Sequence, residues 1–372
     1  MAGIYVHIPF CNSRCIYCGF FSSVGLLNLQ DKYVDALLYE SKLRNNYLNG
    51  EPIETAYIGG GTPSLLHDTN IKKIAKSIYK KGVTKEFTME CNPDDVTPEL
   101  CQTLHDCGVN RVSMGVQTFS DIRLRFLNRR HSSNDIPLAI RNLRNAGISN
   151  ISIDLIFGFP QETMDEWEAD IDHALKLNVQ HISAYSLMYE EGTKLYAMLE
   201  RGDIKENEEN TSAAMYDTLI DKLTKNGYEH YEISNFAKSG FSSLHNSSYW
   251  NGTKYLGLGA AAHSYDTASR QWNVSNIKEY IQSIESGIIP YEKEIIDDQT
   301  RYNDMITTAL RTKEGIDLTR LSHDDYIYII RNARKSIDAQ TLAVTNNRLH
   351  LTRKGLYISD DIMSDLIRVE QE

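Results

Sequence analysis

Short β-rich runs alternate with helix-period runs six times before residue 235, and this alternation narrows the folds open to the chain more than any other feature. Strand 4–7 precedes helix 29–47, 55–58 precedes 70–79, and 86–90 precedes 98–107. Strand 111–116 precedes a helical stretch ending before Gly147, 151–156 precedes 164–177, and 181–187 precedes 213–225. Such repeats give parallel strands joined by right-handed crossovers. Six units predict an α/β fold, a partial TIM-like (β/α)6 barrel left open where a closed barrel would have eight.

In barrels of this kind the chemistry gathers on loops at the carboxyl ends of the strands. Here Cys11, Cys15 and Cys18 follow the first strand, the Gly-Gly-Gly-Thr-Pro run at 59–63 follows the second, Glu90 ends the third and Gln117 the fourth. Asp154 lies in the fifth strand and Tyr185 in the sixth. Independent motifs therefore converge on one rim.

Beyond 235 the pattern loosens. A Gly-rich run at 252–259 and a linker expected at 287–292 suggest three parts: a barrel over 1–235, an extension over 236–290, and a small mixed helical and β-hairpin domain over 291–372. In the last part helices are expected at 302–310 and 324–332. A hairpin is expected at 342–352, turning on Asn346-Asn347 because Asn tolerates positive φ.

A formal charge of -11 argues against a sequence-independent hold on nucleic acid, which needs a basic stripe. No apolar run approaches the ~20 residues of a membrane span, and MAGIYVHIPF lacks the charged leader of a signal peptide, so a cytoplasmic protein is expected. Of six cysteines, three fall within eight residues, a metal spacing; Cys91, Cys101 and Cys107 are scattered and read as small buried hydrophobes.

The C-x3-C-x2-C triad offers three thiolates to a cubane of four irons. One iron is left open, and the amino and carboxylate groups of S-adenosylmethionine (SAM) can chelate it. The alternative is a zinc site, for which His7 is the local fourth ligand.

With Tyr5-Val-His-Ile-Pro-Phe ahead of it, the triad resembles the start of the oxygen-independent coproporphyrinogen III oxidase family of radical SAM proteins. The resemblance covers most of the chain. It implies cluster ligation by Cys11, Cys15 and Cys18, and a first SAM held by Tyr5, Gly60 and Glu90, whose carboxylate can accept both ribose hydroxyls. It also implies a second SAM near Gly61, Thr62, Gln117, Arg129 and Asp154, with Tyr17 packing on adenine. Each residue has a plainer reading alone: Glu90 as a paired carboxylate, Arg129 as a solvated charge, Asp154 as an ion-paired core group.

That family holds both oxidases and haem chaperones, the HemW branch. Oxidases continue the triad with a fourth cysteine, where this chain reads Cys18-Gly19-Phe20, and they carry a longer N-terminal arm, where here ten residues precede Cys11. His245-Asn246-Ser247-Ser248-Tyr249-Trp250 resembles the chaperone HNxxYW motif. Its histidine can ligate iron and its aromatics can pack on a macrocycle, though a helix cap with core aromatics would use the same residues. The implied function is haem binding and delivery; the alternative is SAM-dependent decarboxylation of coproporphyrinogen III to protoporphyrinogen IX. The implied partners are haem or coproporphyrinogen, haem-accepting proteins and a reductant for the cluster. Peripheral membrane contact and a homodimer stay open.

Overall fold

The computed structural model describes residues 2–369. The six expected strands are β1 (Ala2–Ile8), β2 (Ile53–Gly60), β3 (Glu86–Cys91), β4 (Arg111–Gln117), β5 (Asn150–Phe157) and β6 (His181–Ser186), hydrogen-bonded in that order and all parallel. Their crossover helices are α1 (Gln30–Leu43), α2 (Asp68–Tyr79), α3 (Pro98–Asp106), α4 (Asp135–Asn145), α5 (Met164–Leu177) and α6 (Glu209–Lys225). The boundaries follow local chemistry. Helix α3 starts on a Thr97 cap with Pro98 at its first position, and α5 starts on a reciprocal Thr163/Glu166 capping box and stops at left-handed Asn178.

A parallel sheet covered on both faces normally reads as continuous apolar strands. These strands alternate instead. Ile4, Val6 and Ile8, then Ala56 and Ile58, Met89, Val112, Met114, Ile153 and Leu155 face the helices and fill the main core. The opposite face carries Tyr57, Thr88, Glu90, Arg111, Ser113, Ser152, Asp154, His181 and Ser183. Register places these side by side, Thr88 against Arg111, Glu90 against Ser113 and Asp154 against Ser183, so the barrel encloses a polar lumen.

The sheet does not end at six strands. Beyond β6 lie β7 (Tyr228–Glu232) and β8 (Asn235–Lys238), with β8 antiparallel to β6. On the other side β9 (Lys254–Leu258) runs parallel to β1, followed by the antiparallel β10 (His263–Tyr265), β11 (Ser269–Asn273) and β12 (Tyr291–Ile295). The Gly-rich run at 252–259 contains a seventh parallel strand, and one expectation is corrected: the linker expected at 287–292 leads into an edge strand. The expected boundary at 290/291 thus falls just before a strand of the main sheet. Gly257 is required in β9 because a Cβ there would lie 1.9 Å from the His263 carbonyl oxygen.

The helix α7 (Leu244–Trp250) closes the amino-terminal end of the barrel. Buried Glu86, at the start of β3, accepts from the backbone N–H groups of Leu244 (2.9 Å) and His245 (3.0 Å) and from the Ser243 hydroxyl (3.3 Å). After β12 a second core forms among α8 (Asp298–Ala309), α9 (His323–Asp338), α10 (Ser359–Leu366) and a three-stranded sheet of β13 (Ile316–Asp317), β14 (Leu342–Thr345) and β15 (Arg348–Leu351). The hairpin turns on Asn346 and Asn347, both at positive φ, as the sequence predicts.

Candidate functional site

The loop after β1 is pinned by a residue between the cysteines. Ile16 is buried in a small cluster with Leu127, Phe159 and Leu195, donates its N–H to the Leu127 carbonyl (3.2 Å) and accepts from the Leu195 N–H (2.9 Å). With Ile16 held outward in that cluster, the thiols of Cys11, Cys15 and Cys18 line one pocket. All three are free and half-buried, and burial raises the Cys11 and Cys18 thiols. His7 is not positioned to complete a zinc site: Nδ1 bonds the Tyr5 hydroxyl (3.0 Å), and Nε2 bonds the Phe21 carbonyl (2.9 Å), tying the loop back to β1.

The second loop presses its backbone against the first. Gly60 has φ +116°, and a Cβ there would lie 2.6 Å from His7; one on Gly61 would lie 2.8 Å from the Phe10 carbonyl oxygen and 3.0 Å from Cys11 Sγ. Only glycine permits this approach. Thr62 Oγ1 points to Cys11 Sγ (3.4 Å).

Glu90 sits where the loops meet the lumen. Its carboxylate accepts from the Tyr57 hydroxyl (2.7 Å) and the Gly60 N–H (3.0 Å), and burial, with Asp154 adding to it, pushes its pKa up to about 7. Asp154, on the neighbouring face, accepts from Ser113 (3.4 Å) and is raised by burial to about 6. Gln117 ends β4 at φ +68°, a left-handed conformation unusual for a residue with a side chain. Arg129 lies half-buried in the same pocket. Nη2 donates to Asn92 Oδ1 and to the Gly115 carbonyl, both at 2.7 Å, Nη1 reaches Cys15 Sγ (3.5 Å), and Nε has no partner.

The pocket therefore brings together Cys11, Cys15, Cys18, Tyr17, Gly60, Gly61, Thr62, Glu90, Gln117, Arg129 and Asp154. Tyr5 lies one layer deeper, beside Tyr57 in the lumen. His245 is not at this rim. It is fully buried in α7, with Nδ1 on Thr55 Oγ1 (2.8 Å), Nε2 on the Tyr249 hydroxyl (2.9 Å) and its ring stacked on Tyr57. Burial lowers its pKa to about 3, so it is a neutral core group. In that geometry neither ring nitrogen faces open space. Asn92, Tyr57 and Ser113 belong to the site and were missed; the inward alternation of β2 and β4 was the signal for the last two.

The radical SAM superfamily pattern matches residues 5–174. The heme chaperone HemW of Lactococcus lactis strain IL1403 is 32% identical over 98% of this chain and 96% of its own, and that of Bacillus subtilis strain 168 is 36% identical over 87% and 86%. The chain belongs to the HemW family. This is a radical SAM family, whose chemistry rests on a 4Fe-4S cluster and SAM. The residues fit that pair: three free thiols share one pocket, the glycine backbone lies bare against Cys11, and the Arg129 Nε–H is a buried donor without an acceptor. The fold is that of coproporphyrinogen III oxidase (HemN) from Escherichia coli, a radical SAM enzyme, with a TM-score of 0.84 at 22% identity, covering 98% of this chain and 89% of that one.

Proposed function

We propose that this protein binds haem and passes it to haem-requiring proteins. The observation that carries the reading is identity of 30–36% to heme chaperones HemW along 87–98% of the chain, in four relatives. The run Cys18-Gly19-Phe20 agrees with it, since an exposed phenylalanine stands where the oxidases continue with a cysteine. A reductant, haem-accepting proteins and a cytoplasmic setting belong to the same proposal. So does a homodimer. No helix among the described residues is long and apolar enough to cross a membrane.

Cys11, Cys15 and Cys18 would hold the cluster. Tyr5, Gly60 and Glu90 would bind a first SAM, and Gly61, Thr62, Gln117, Arg129 and Asp154 a second, with Tyr17 against an adenine. When bound, the pair supplies one-electron chemistry at the rim. The chain's part is positional. Glu90 accepts ribose hydroxyls once its proton is lost, Arg129 offers N–H groups to a carboxylate, and the bare backbone at 59–61 lets the methionyl group approach.

The test pairs two assays on the anaerobically reconstituted protein. Haem titration should saturate at one haem per chain, and coproporphyrinogen with SAM and a reductant should remain unconsumed. Sustained decarboxylation would reverse the reading.

A further inference from the structure

The haem-chaperone reading leaves open where haem sits, and His245 is sealed in the core. Away from the SAM rim, a cleft of about 560 Å³ opens between the β7–β8 hairpin and the C-terminal domain. That size lies within the range of small-molecule and cofactor sites. Its apolar lining comes from both sides, Ile220 from the barrel and Leu310, Leu351 and Leu356 from the C-terminal domain.

One histidine in this cleft has the geometry of a metal ligand. His350, on β15, bonds the Leu351 carbonyl through Nδ1 (3.1 Å), and its Nε2 accepts from the hydroxyl of exposed Thr345 (3.3 Å). An Nδ1–H donated to a backbone carbonyl fixes the tautomer that leaves Nε2 with its lone pair, the usual second contact of an iron-bound imidazole. His230, on the opposite wall, is differently held. Its Nε2 is on the Ile233 carbonyl (3.1 Å), and its ring is stacked on Phe236 at 4.3 Å.

The charge of the lining also suits a propionate-bearing ligand. Arg311, Lys313, Arg348 and Arg353 line the cleft against Glu232 and Glu314. Three of these cations are already paired, Arg311 with Glu232, Arg348 with Asp317, and Arg353 with Asp217 and Asp221. Lys313 has no carboxylate partner among the described residues, which leaves it free for an incoming one. Arg311 also lies over the Trp250 ring at 5.0 Å, so the HNxxYW helix adjoins this cleft through its last aromatic.

We propose that the cleft is the haem site, with His350 Nε2 as an axial ligand to iron and Lys313 as the anchor of a propionate. The proposal rests on the haem-chaperone reading and adds the place and the ligand. The experiment is a titration of ferric haem into the full-length, anaerobically reconstituted protein, read by Soret absorbance, for wild type, His350→Ala and Lys313→Glu. Both substitutions lie on the surface of the cleft, and circular dichroism checks their folding. His350→Ala should shift the Soret band and weaken binding at least tenfold, and added imidazole should restore the wild-type spectrum. Lys313→Glu should weaken binding with the spectrum unchanged. Wild type that binds haem while folded His350→Ala binds with the same spectrum and affinity would overturn the cleft assignment and leave the chaperone reading standing. Wild type that binds no haem sinks the chaperone reading itself.

Discussion

Glu90 carries the clearest consequence of a single residue's surroundings. Its carboxyl is buried beneath the rim, held by Tyr57 and the Gly60 N–H, and pushed up to about 7. A carboxylate accepts two hydroxyls, whereas a carboxylic acid gives up one of those acceptor positions to its own proton. Raising the pH from about 6 to about 8 should therefore increase SAM affinity about tenfold, the change in ionised fraction for a group centred near 7. Glu90→Gln should bind more weakly and lose that step, as measured by equilibrium dialysis with the cluster in place; an identical pH profile in the variant would remove Glu90 from the ribose. The same shift acts on stability in the opposite sense. Between the ordinary carboxylate value and about 7, the folded chain keeps a proton that the unfolded chain has released. The ligand-free protein thus loses stability from this group as pH rises through the window. Asp154, raised to about 6, adds to the loss at the lower end.

Among the elements, α7 shows how one buried carboxylate can hold a helix in place. Glu86 accepts three hydrogen bonds at its start, from groups that have no other acceptor if the carboxylate goes. Glu86→Ala should cost on the order of 2–4 kcal/mol in denaturant unfolding, because the orphaned N–H groups stay buried at the barrel floor. A loss under about 0.5 kcal/mol would mean that the helix is held by packing alone. This element also marks where sequence reasoning reached its limit. The six β/α units were legible because alternation on the strands and helical period on the crossovers are strong, local signals. β9 was not, since it is five residues long with Gly257 inside it and Gly252 and Gly259 beside it, and β12 was not, since Tyr291-Glu-Lys-Glu-Ile295 is an exposed edge with no face to bury. The rim residues were found through the family motif and their positions at strand ends. The setting of His245 was not legible for a physical reason: a histidine flanked by aromatics has the same sequence whether it meets a ligand or fills a lumen.

At the scale of the molecule, two cores are joined across a seam of ion pairs, backbone bonds and a few ring contacts. The main core and that of the C-terminal domain are separate clusters. Arg353 reaches across to Asp217 and Asp221 on α6, and Arg311 to Glu232 on β7. Arg353 and its partners are about half exposed, and such pairs contribute roughly 0–1 kcal/mol each and less in salt. The seam also carries two backbone bonds, Ile233 N–H to the Arg311 carbonyl and Lys313 N–H to the Tyr231 carbonyl, both 3.0 Å, with the Tyr216–Tyr357 ring contact and Leu356 against the main core, few beside the contacts within each core. Calorimetry should therefore resolve two transitions, drawing further apart at high ionic strength. Ligands should then act according to where they sit, since each stabilises whatever must stay folded to hold it, by about 2.7 kcal/mol at one hundred times its dissociation constant. SAM, on the proposed site at β1–β5 and their loops, should raise only the barrel transition. Haem in the cleft touches both units, so it should raise both transitions and draw them together. A haem shift confined to the barrel transition would place the cargo on the rim instead, against the cleft.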